Sequence, residues 1–360
     1  MNAARAERAP LRRPARHVPW PLAAAVVSVV LVVLLLLGAA LGPEGVNVPG
    51  RQVALVVTSH VPGVRAWVRG VPTPEAEAIV WQVRLPRAAS AALVGALLGM
   101  AGVALQGLLM NPLADPYTVG VSSGAAVGAA LAEVTGFAAL WLGFGGVGVA
   151  FATALAAVTL VYALARIGGR VSVHTFLLAG VVVGTFLWSL IPLLMVLADR
   201  AEDLQRVFFY LIGTLQGADW LRVGMLAPFA AASALLLGLW SRDLNLMTLG
   251  EETALHLGVS VESFKRRVLL VGSLATAAAV SVAGIIGFVG LVVPHVARRV
   301  VGPDHRALMP VAALLGAALL VAADMLVRVW LNDMPVGVVT AILGAPVFCL
   351  LLRRGRVAAW

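Results

Sequence analysis

Nine long stretches without Asp, Glu, Lys or Arg dominate this sequence and limit what it can fold into. They are residues 18–43, 88–114, 116–132, 134–165, 171–198, 223–241, 268–297, 307–323 and 334–352. A helix of about 20 apolar residues crosses the hydrocarbon core of a bilayer. Charged residues make up 12% of the chain, whereas a soluble domain has about 25%. The sequence therefore predicts an all-α polytopic membrane protein.

Basic residues at the two ends of the chain set its expected topology. Arginines crowd residues 1–17 and 353–356, and loops rich in arginine and lysine stay on the cytoplasmic side of a membrane. Both termini are therefore expected in the cytoplasm, which requires an even number of spans. Glycines interrupt the second half of 268–297, so we divide it into a span at about 266–285 and a short broken helix at about 288–301. The prediction is ten transmembrane helices.

This topology divides the chain into a tail, a loop and a membrane core. Residues 1–17 form a basic cytoplasmic tail, and residues 18–43 form the first transmembrane helix. That apolar run is too long for the core of a cleaved signal peptide. Residues 44–83 form an extracytoplasmic loop, and residues 84–355 form the membrane core with a cytoplasmic segment at 241–265.

The segment 84–124 has the most distinctive pattern in the core. Arg84 and Arg87 precede a charge-free run in which Gly95 and Gly99 stand four residues apart. This spacing leaves one helix face bare for a close neighbour. Two prolines and an aspartate then end the run, because proline cannot continue a helix. The pattern predicts two packed membrane helices joined by a stiff turn at a water face.

The largest cytoplasmic segment has the pattern of a short capped helix. Thr248 and Glu251 have the spacing of a capping box, in which each side chain pairs with the backbone of the other residue. We expect a helix over about 249–257, with Gly258 at its carboxyl end. Such a helix is either a docking surface for a cytoplasmic partner or a solvated turn at the membrane surface.

Composition argues against several other classes of protein. Lys265 is the only lysine and Arg266 follows it, so no phosphate-binding loop of the GK[ST] type exists and another chain must bind any ATP that is used. Apart from Glu133 and Asp324 near outer ends, the spans hold almost no ionisable residues, which argues against an ion-coupled carrier. The net charge of +9 follows from arginines that flank apolar runs, so we expect no nucleic-acid partner. The single cysteine, Cys349, permits no internal disulfide, and we expect neither a metal site nor a cofactor.

Six motifs in order resemble the FecCD-type permeases, the membrane subunits of ABC importers for iron-siderophores, haem and cobalamin. The resemblance covers about residues 80–355. The motifs are RLPR…QGLLMNPLADP…GVSSGA over 84–125, FLLAG at 176–180, GEETA with LG over 250–258, GFVGLVVPH at 287–295, DHR at 304–306 and PVGVVTAILGAP at 335–346.

The resemblance implies an architecture and a set of partners. It implies the type II ABC importer permease fold in the cytoplasmic membrane, as a homodimer that binds two cytoplasmic ABC ATPase subunits and an extracytoplasmic substrate-binding protein. The permease would carry out no chemistry, since the ATPase subunits hydrolyse the ATP. An iron-siderophore is the first substrate expected, followed by haem and then cobalamin. A gradient-driven secondary transporter and a non-transporting membrane scaffold remain as alternatives.

The resemblance also implies three sets of site residues. Guanidinium groups that would pair with carboxylates of the binding protein are those of Arg84, Arg87 and Arg328. Residues of the cytoplasmic gate would be Asn111, Leu113, Val173 and His174. Residues that couple the permease to the ATPase would be Gly250, Glu251, Glu252, Ala254, Leu257 and Gly258. Anchoring at the membrane interface is the alternative for the arginines, and a structural role is the alternative for the gate histidine.

Overall fold

The structure, a computed structural model, describes residues 17–60, 70–138, 144–168, 170–198 and 200–353. The predicted basic tail at 1–17 lies outside these ranges except for its last residue. The α-helices of the described residues are α1 (Trp20–Ala40), α2 (Gly50–His60), α3 (Pro74–Glu77), α4 (Leu85–Leu108), α5 (Val121–Val134), α6 (Phe144–Ala165), α7 (Val173–Val196), α8 (Ala201–Ile212), α9 (Trp220–Leu239), α10 (Ser241–Met247), α11 (Glu251–His256), α12 (Val261–Ala283), α13 (Val289–Val301), α14 (His305–Trp330) and α15 (Val336–Arg353).

Short elements connect these helices. They are 3-10 helices at Pro43–Gly45 and Pro116–Val119, a π-helical stretch at Ala78–Arg84 between α3 and α4, and a hairpin of β1 (Arg166–Ile167) and β2 (Arg170–Val171). The two strands are only two residues long, so the prediction of a helical protein is confirmed.

Among the residues that the structure describes, seven helical stretches are long and apolar enough to cross a membrane. They are α1, Pro74–Leu108 through α3 and α4, α6, α7, α9, α12 and α14. Two apolar helices are shorter, namely α5 and Val336–Leu350 of α15, and α13 has 13 residues. Each of the ten predicted spans therefore contains one helix, but seven satisfy the length criterion. The number of ten crossings stays a prediction.

The long apolar stretch 268–297 is divided as predicted. Helix α12 ends at Ala283 and α13 begins at Val289. Between them, Gly284 and Phe288 both have a φ of +68°. This left-handed region is open to glycine but costly for a bulky side chain, so the backbone at Phe288 is strained. Within 268–297 the helix is interrupted only at this point. Helix α13 itself continues through its internal proline.

Helix α4 lies at the centre of the molecule and packs against α14, α12, α13 and α9. A side chain at Gly95 would overlap the backbone of Gly316 in α14, so the two helices touch backbone to backbone. The predicted packing of α4 against the next span is wrong. Gly124 and Gly128 of α5 face α6 instead, since their bare surface lets the backbones of these two helices approach closely.

The segment between α4 and α5 turns where predicted and then returns into the protein. Met110 and Leu113 are exposed at the turn. The ring of Pro116, however, lies against Gly290, which itself touches the backbone of α4 at Gly102. Gly102 precedes the end of α4 at Leu108 by six residues, about 9 Å along a helix. Helix α5 therefore begins well inside the molecule, which explains its length of 14 residues.

Two segments between the long apolar runs, the predicted outer loop 44–83 and the segment before α9, contain helices that the sequence did not indicate. Helix α2 lies in the 44–83 loop, where it packs with α3 and the end of α1 around a small apolar cluster. Helix α8 lies in the loop before α9, begins with two acidic residues and contacts α5 and α15. The sequence had suggested loops because both regions interrupt the long apolar runs.

Candidate functional site

Two irregular segments meet inside the helix bundle. The hydroxyl group of Tyr117, in the chain that returns after α4, donates a hydrogen bond to the carbonyl of Ile286 at 2.9 Å and accepts one from its N–H at 3.2 Å. Ile286 lies in the break between α12 and α13. Backbone that is not helical is tolerated at membrane depth where protein groups satisfy its hydrogen bonds. Tyr117 supplies those bonds here.

The end of α8 and the start of α15 also converge on this break between α12 and α13. We call the region where these helix ends meet the junction. The N–H of Ile285 donates to the carbonyl of Tyr210 at 3.1 Å, and the N–H of Thr214 donates to the carbonyl of Ala283 at 2.8 Å. The N–H of Gly337 donates to the carbonyl of Gly213 at 3.1 Å. The ends of α8 and α12 and the start of α15 are thus joined by backbone bonds.

The junction affects how the helices can move. Because four helices end or begin there, these helices can change their relative positions without breaking a long hydrogen-bonded helix. Broken helices of this kind mark binding sites and moving parts in membrane transport proteins. The junction is therefore the strongest structural indication of transport in the described residues.

A cluster of five charged side chains occupies the end of the bundle that is predicted to face outward, and it includes the three predicted docking arginines. Arg87 Nε donates to Asp324 Oδ1 at 2.8 Å, and its Nη2 donates to Asp333 Oδ1 at 2.6 Å. Arg84 donates to three backbone carbonyls at the end of α1 and just beyond it. Arg328 donates to the carbonyl of Gly38. All three arginines are buried in this subunit.

These contacts give the arginines a structural role that sequence reasoning missed. The last carbonyls of a helix have no partner within the helix and carry partial negative charge. Arg84 and Arg328 bind those of α1 and so fasten it to α4 and α14. Asp324, one of the two carboxylates expected near an outer span end, is buried in α14 and paired with Arg87. The docking role stays a prediction.

The predicted gate residues lie on two turns at the cytoplasmic end. The side chain of Asn111 accepts a hydrogen bond from the N–H of Leu113 at 2.9 Å, which stiffens the turn after α4. Val173 and the exposed His174 form the first turn of α7. A cavity of about 420 Å³ brings these two side chains together with Glu251, a predicted coupling residue. Asn111 and Leu113 are not among its lining residues.

The single lysine links the elements around this cavity. Lys265 Nζ donates to Glu251 Oε2 at 2.6 Å, to Glu262 Oε1 at 3.2 Å and to the carbonyl of Val171 at 3.3 Å. Glu262 also accepts a hydrogen bond from the N–H of Val171 at 3.0 Å. Lys265 is buried, so both carboxylates compensate its charge. The lysine joins α11 to the strand that immediately precedes α7.

The expected capping box at Thr248 is wrong. The Thr248 hydroxyl donates to the carbonyl of Asn245 at 2.7 Å and so ends α10. Helix α11 begins only after Gly250, whose φ is +104°. Glu251, which the prediction paired with Thr248, binds Lys265 instead. The sequence did not reveal the second short helix, α10, whose end uses the threonine.

The carboxyl end of α11 agrees with prediction. Gly258 has a φ of +92°, and its N–H donates to the carbonyl of Leu255 at 3.0 Å. The next N–H, that of Val259, donates to the carbonyl of Ala254 at 3.0 Å. This pair of bonds is the Schellman motif, which favours glycine at this position.

A comparison with models of known protein families decides what kind of chain this is. The model described as the FecCD transport family matches residues 29–354. The chain belongs to this family. The match extends beyond the motifs quoted above, because it includes most of α1 and the whole of the 44–83 loop.

Several relatives of this family member have been named. It is 42% identical to the cobalamin import system permease protein BtuC of Halobacterium salinarum, over 96% of this chain and 98% of that one. It is 39% identical to the hemin transport system permease protein HmuU of Yersinia pestis, over 77% and 84% of the two chains. A solved inward-facing structure assigned to the metal-chelate type of ABC transporter superposes with a TM-score of 0.80 at 28% identity, over 93% of this chain and 99% of that chain.

These similarities establish the class of the protein. The FecCD chain is the membrane permease subunit of an ABC importer and a multi-pass protein of the cell membrane. The family implies an ATPase and a substrate-binding protein as partners. The resemblance inferred from the motifs is thereby confirmed.

Some residues of this FecCD permease were missed by reasoning from sequence. Tyr117 lies within a quoted motif, but nothing in the sequence indicates that its hydroxyl reaches Ile286. The pairing of Lys265 with Glu262 had a visible signal, since residues three apart on a helix are neighbours. Nothing in the sequence indicated that Asp333 pairs with Arg87, because Asp333 lies in a loop.

Proposed function

We propose that this permease imports cobalamin or a closely similar large metal chelate as a homodimer. Two separate ABC ATPase subunits hydrolyse ATP at its cytoplasmic face, and a binding protein delivers the chelate at the outer face. The observation that carries the substrate proposal is the similarity to the archaeal cobalamin permease, which extends over 96% of this chain. This reverses the order expected from the motifs, in which an iron-siderophore came first.

The junction supports the proposed transport mechanism. A chelate of this size needs a pathway that opens alternately to the two sides of the membrane, and helices that end inside the bundle can swing without unwinding. The backbone bonds from Tyr210, Gly213 and Ala283 would hold one arrangement of these helix ends. ATP binding to the partner subunits would favour another arrangement.

The outer charge cluster supports docking of a binding protein. Three arginines, Arg84, Arg87 and Arg328, face two carboxylates, Asp324 and Asp333, which leaves one positive charge in excess. The Nε and Nη1 of Arg328 have no hydrogen-bond partner among the described residues. This excess positive charge would attract and orient a carboxylate of the binding protein.

The surface around α11 supports coupling to an ATPase. Leu249, Leu255 and Leu257 are exposed there, and Glu252 is exposed beside them. Exposed apolar side chains outside the bilayer mark surfaces that bind other proteins. The same helix is tied through Lys265 to the turn that carries Val173 and His174, the proposed gate.

The substrate is tested by uptake into vesicles that contain the permease with its ATPase and binding protein. Labelled cobalamin, haemin and a ferric siderophore are supplied outside, with ATP inside. The proposal predicts uptake of cobalamin that excess unlabelled cobalamin suppresses and the other two chelates do not. Uptake of haemin or the siderophore in preference to cobalamin would refute the substrate while leaving the transporter class intact.

Docking is tested with an Arg328→Met variant, because a charge reversal at this buried site would prevent folding. Folded protein is isolated first by size-exclusion chromatography, and its affinity for the binding protein is then measured. A docking role predicts affinity at least about tenfold weaker, the loss expected for a charged hydrogen bond. Lower stability with unchanged affinity of the folded fraction would show that the arginine is only structural.

A further inference from the structure

A second cavity lies on the outer side of the junction and away from the gate, and Tyr210, Thr214 and Ala283 of the junction are among its lining residues. It measures about 460 Å³ and is lined by the ends of α5 and α12, the starts of α6 and α9, and α8. Its charged side chains are Glu133, Arg206 and Arg222. Two arginines and one glutamate give the wall a net charge of +1. The proposed transport mechanism assigns no function to this cavity.

The two arginines differ in how far their charge is already compensated. Arg206 Nη1 lies 3.5 Å from Glu133 Oε2, a long ion pair. Arg222 has no carboxylate within ion-pair distance among the described residues, and its Nη1 donates only to the carbonyl of Gln216 at 3.4 Å. The guanidinium of Arg222 can therefore still accept an anion. A phosphodiester, which carries one negative charge, matches the net charge of the wall.

An apolar crevice continues from this cavity between α6 and α9. It measures about 340 Å³, and the two spaces share Val147, Ser281 and Val282 as lining residues. The rest of its wall is almost wholly apolar. The other lining residues are Gly148, Phe151, Met225, Leu226, Pro228, Phe229 and Ala278.

The order of these residues along α9 places the crevice deeper than the charged cavity. Arg222 stands in the first turn of α9, whereas Phe229 stands seven residues further along, about 10 Å from it. The rings of Phe151 and Phe229 meet at a centroid distance of 5.3 Å and close the crevice at that depth. Trp220, at the start of α9, is exposed, and tryptophans of this kind cluster at the headgroup level of a membrane.

We propose that this combined space binds one phospholipid of the outer leaflet. Its phosphate lies against Arg222 and Arg206, and one acyl chain enters the crevice between α6 and α9. A charged cavity at headgroup depth above an apolar crevice matches the two parts of a phospholipid in the correct order. A soluble anion would leave the crevice unfilled. A second protein chain would have to bring one negative charge and an apolar segment in the same order.

Glycine positions allow the crevice to be blocked without disturbing the core. A side chain at Gly148, which lines the crevice, would meet no atom within 4 Å. Gly224 of α9 is equally unobstructed but does not line the crevice. Gly148→Phe therefore fills the space, and Gly224→Phe is its matched control. For the headgroup, Arg222→Gln is compared with Arg200→Gln, an exposed arginine outside the cavity.

The experiment uses the importer complex in vesicles of phosphatidylcholine and phosphatidylglycerol that contain a trace of phosphatidylglycerol with a photoactivatable acyl chain. After illumination, labelled peptides of the permease are mapped by mass spectrometry. We expect labelling concentrated on the crevice residues of α6 and α9. It should fall about tenfold in Arg222→Gln, the effect of losing one charged contact. It should also fall in Gly148→Phe, because the new side chain occupies the crevice, and stay unchanged in the two controls.

Three results would overturn the proposal. Labelling spread evenly over the lipid-facing surfaces of α6 and α9 would show that no site exists. Labelling of the crevice that Gly148→Phe leaves unchanged would place the acyl chain elsewhere. Crevice labelling that Arg222→Gln leaves unchanged, with loss of inorganic phosphate binding in the same variant, would show that the arginines bind a soluble anion instead of a lipid headgroup.

Discussion

The hydroxyl group of Tyr117 joins two breaks in the helical structure, because it both donates to and accepts from the backbone of Ile286. One break follows α4 and the other separates α12 from α13. The two residues are 169 positions apart in the chain. This contact connects the first half of the permease to the second at the point where four helix ends meet.

Removal of this hydroxyl should weaken the junction. Tyr117→Phe leaves the N–H and the carbonyl of Ile286 without their partner in a buried place, which costs about 1–3 kcal/mol for each unsatisfied group. We expect a lower unfolding temperature in detergent. Tyr210→Phe is the control, since the Tyr210 hydroxyl is buried and has no partner among the described residues. Equal losses in both variants would contradict the role of the Tyr117 hydroxyl.

The Arg87–Asp324 pair should behave as a coupled unit. Arg87→Met leaves the buried Asp324 without its hydrogen-bonded partner, and Asp324→Leu leaves the buried Arg87 with Asp333 alone. Breaking a buried pair in this way costs about 3–5 kcal/mol. We therefore expect Arg87→Met and Asp324→Leu to be strongly destabilising singly and much less destabilising together. A double-mutant cycle on the free energy of unfolding measures this difference. Strictly additive effects would show that the pair contributes no coupling.

Lys265 should hold the proposed coupling helix against the hairpin before α7. Lys265→Met removes the shared partner of Glu251 and Glu262, so hydrogen exchange of the amides in α11 and β2 should become faster. Arg266→Met, at an exposed neighbouring position, is the control. In the full importer, the variant should hydrolyse more ATP for each chelate transported. Unchanged exchange in α11 would remove Lys265 from the link.

Asp304, the residue that caps the start of α14, should make stability depend on pH. Burial favours the neutral carboxyl group, but hydrogen bonds from the Arg306 N–H and the Asn245 side chain, together with the Arg306 charge, hold the pKa of Asp304 below its usual value. The stabilisation is therefore complete above about pH 4, the ordinary value for aspartate, and is lost as the pH falls through the lowered pKa. Asp304→Asn should be less stable than wild type at about pH 7, with a difference that shrinks at about pH 3. A difference independent of pH would contradict this assignment.

Apolar patterning predicted most of the helices, because burial in a bilayer demands long charge-free runs. The division of 268–297 could also be predicted, because glycines inside such a run weaken a helix. The neighbours of each helix could not be predicted. The close approach of Gly95 to Gly316 depends on a fold that brings α4 and α14 together, and glycine spacing does not name the partner.

The candidate site was predictable only in part. The motif around Asn111 indicated a turn, but the return of the chain as far as Pro116 depends on contacts with Gly290, nearly 180 residues away. The three arginines named from the sequence come together in one charge cluster, and their docking role stays a prediction. Their burial against the end of α1 was not apparent, because nothing local to Arg84 or Arg328 shows that carbonyls from another helix lie nearby.

The most direct test of the account is the source of energy for uptake. Vesicles with the permease, its ATPase and its binding protein are supplied with labelled cobalamin outside and with ATP or ADP inside, in the presence and absence of an ionophore that collapses ion gradients. We expect uptake with ATP that the ionophore does not affect, and no uptake with ADP. Uptake that proceeds with ADP and stops when the gradient collapses would contradict it and indicate a secondary transporter.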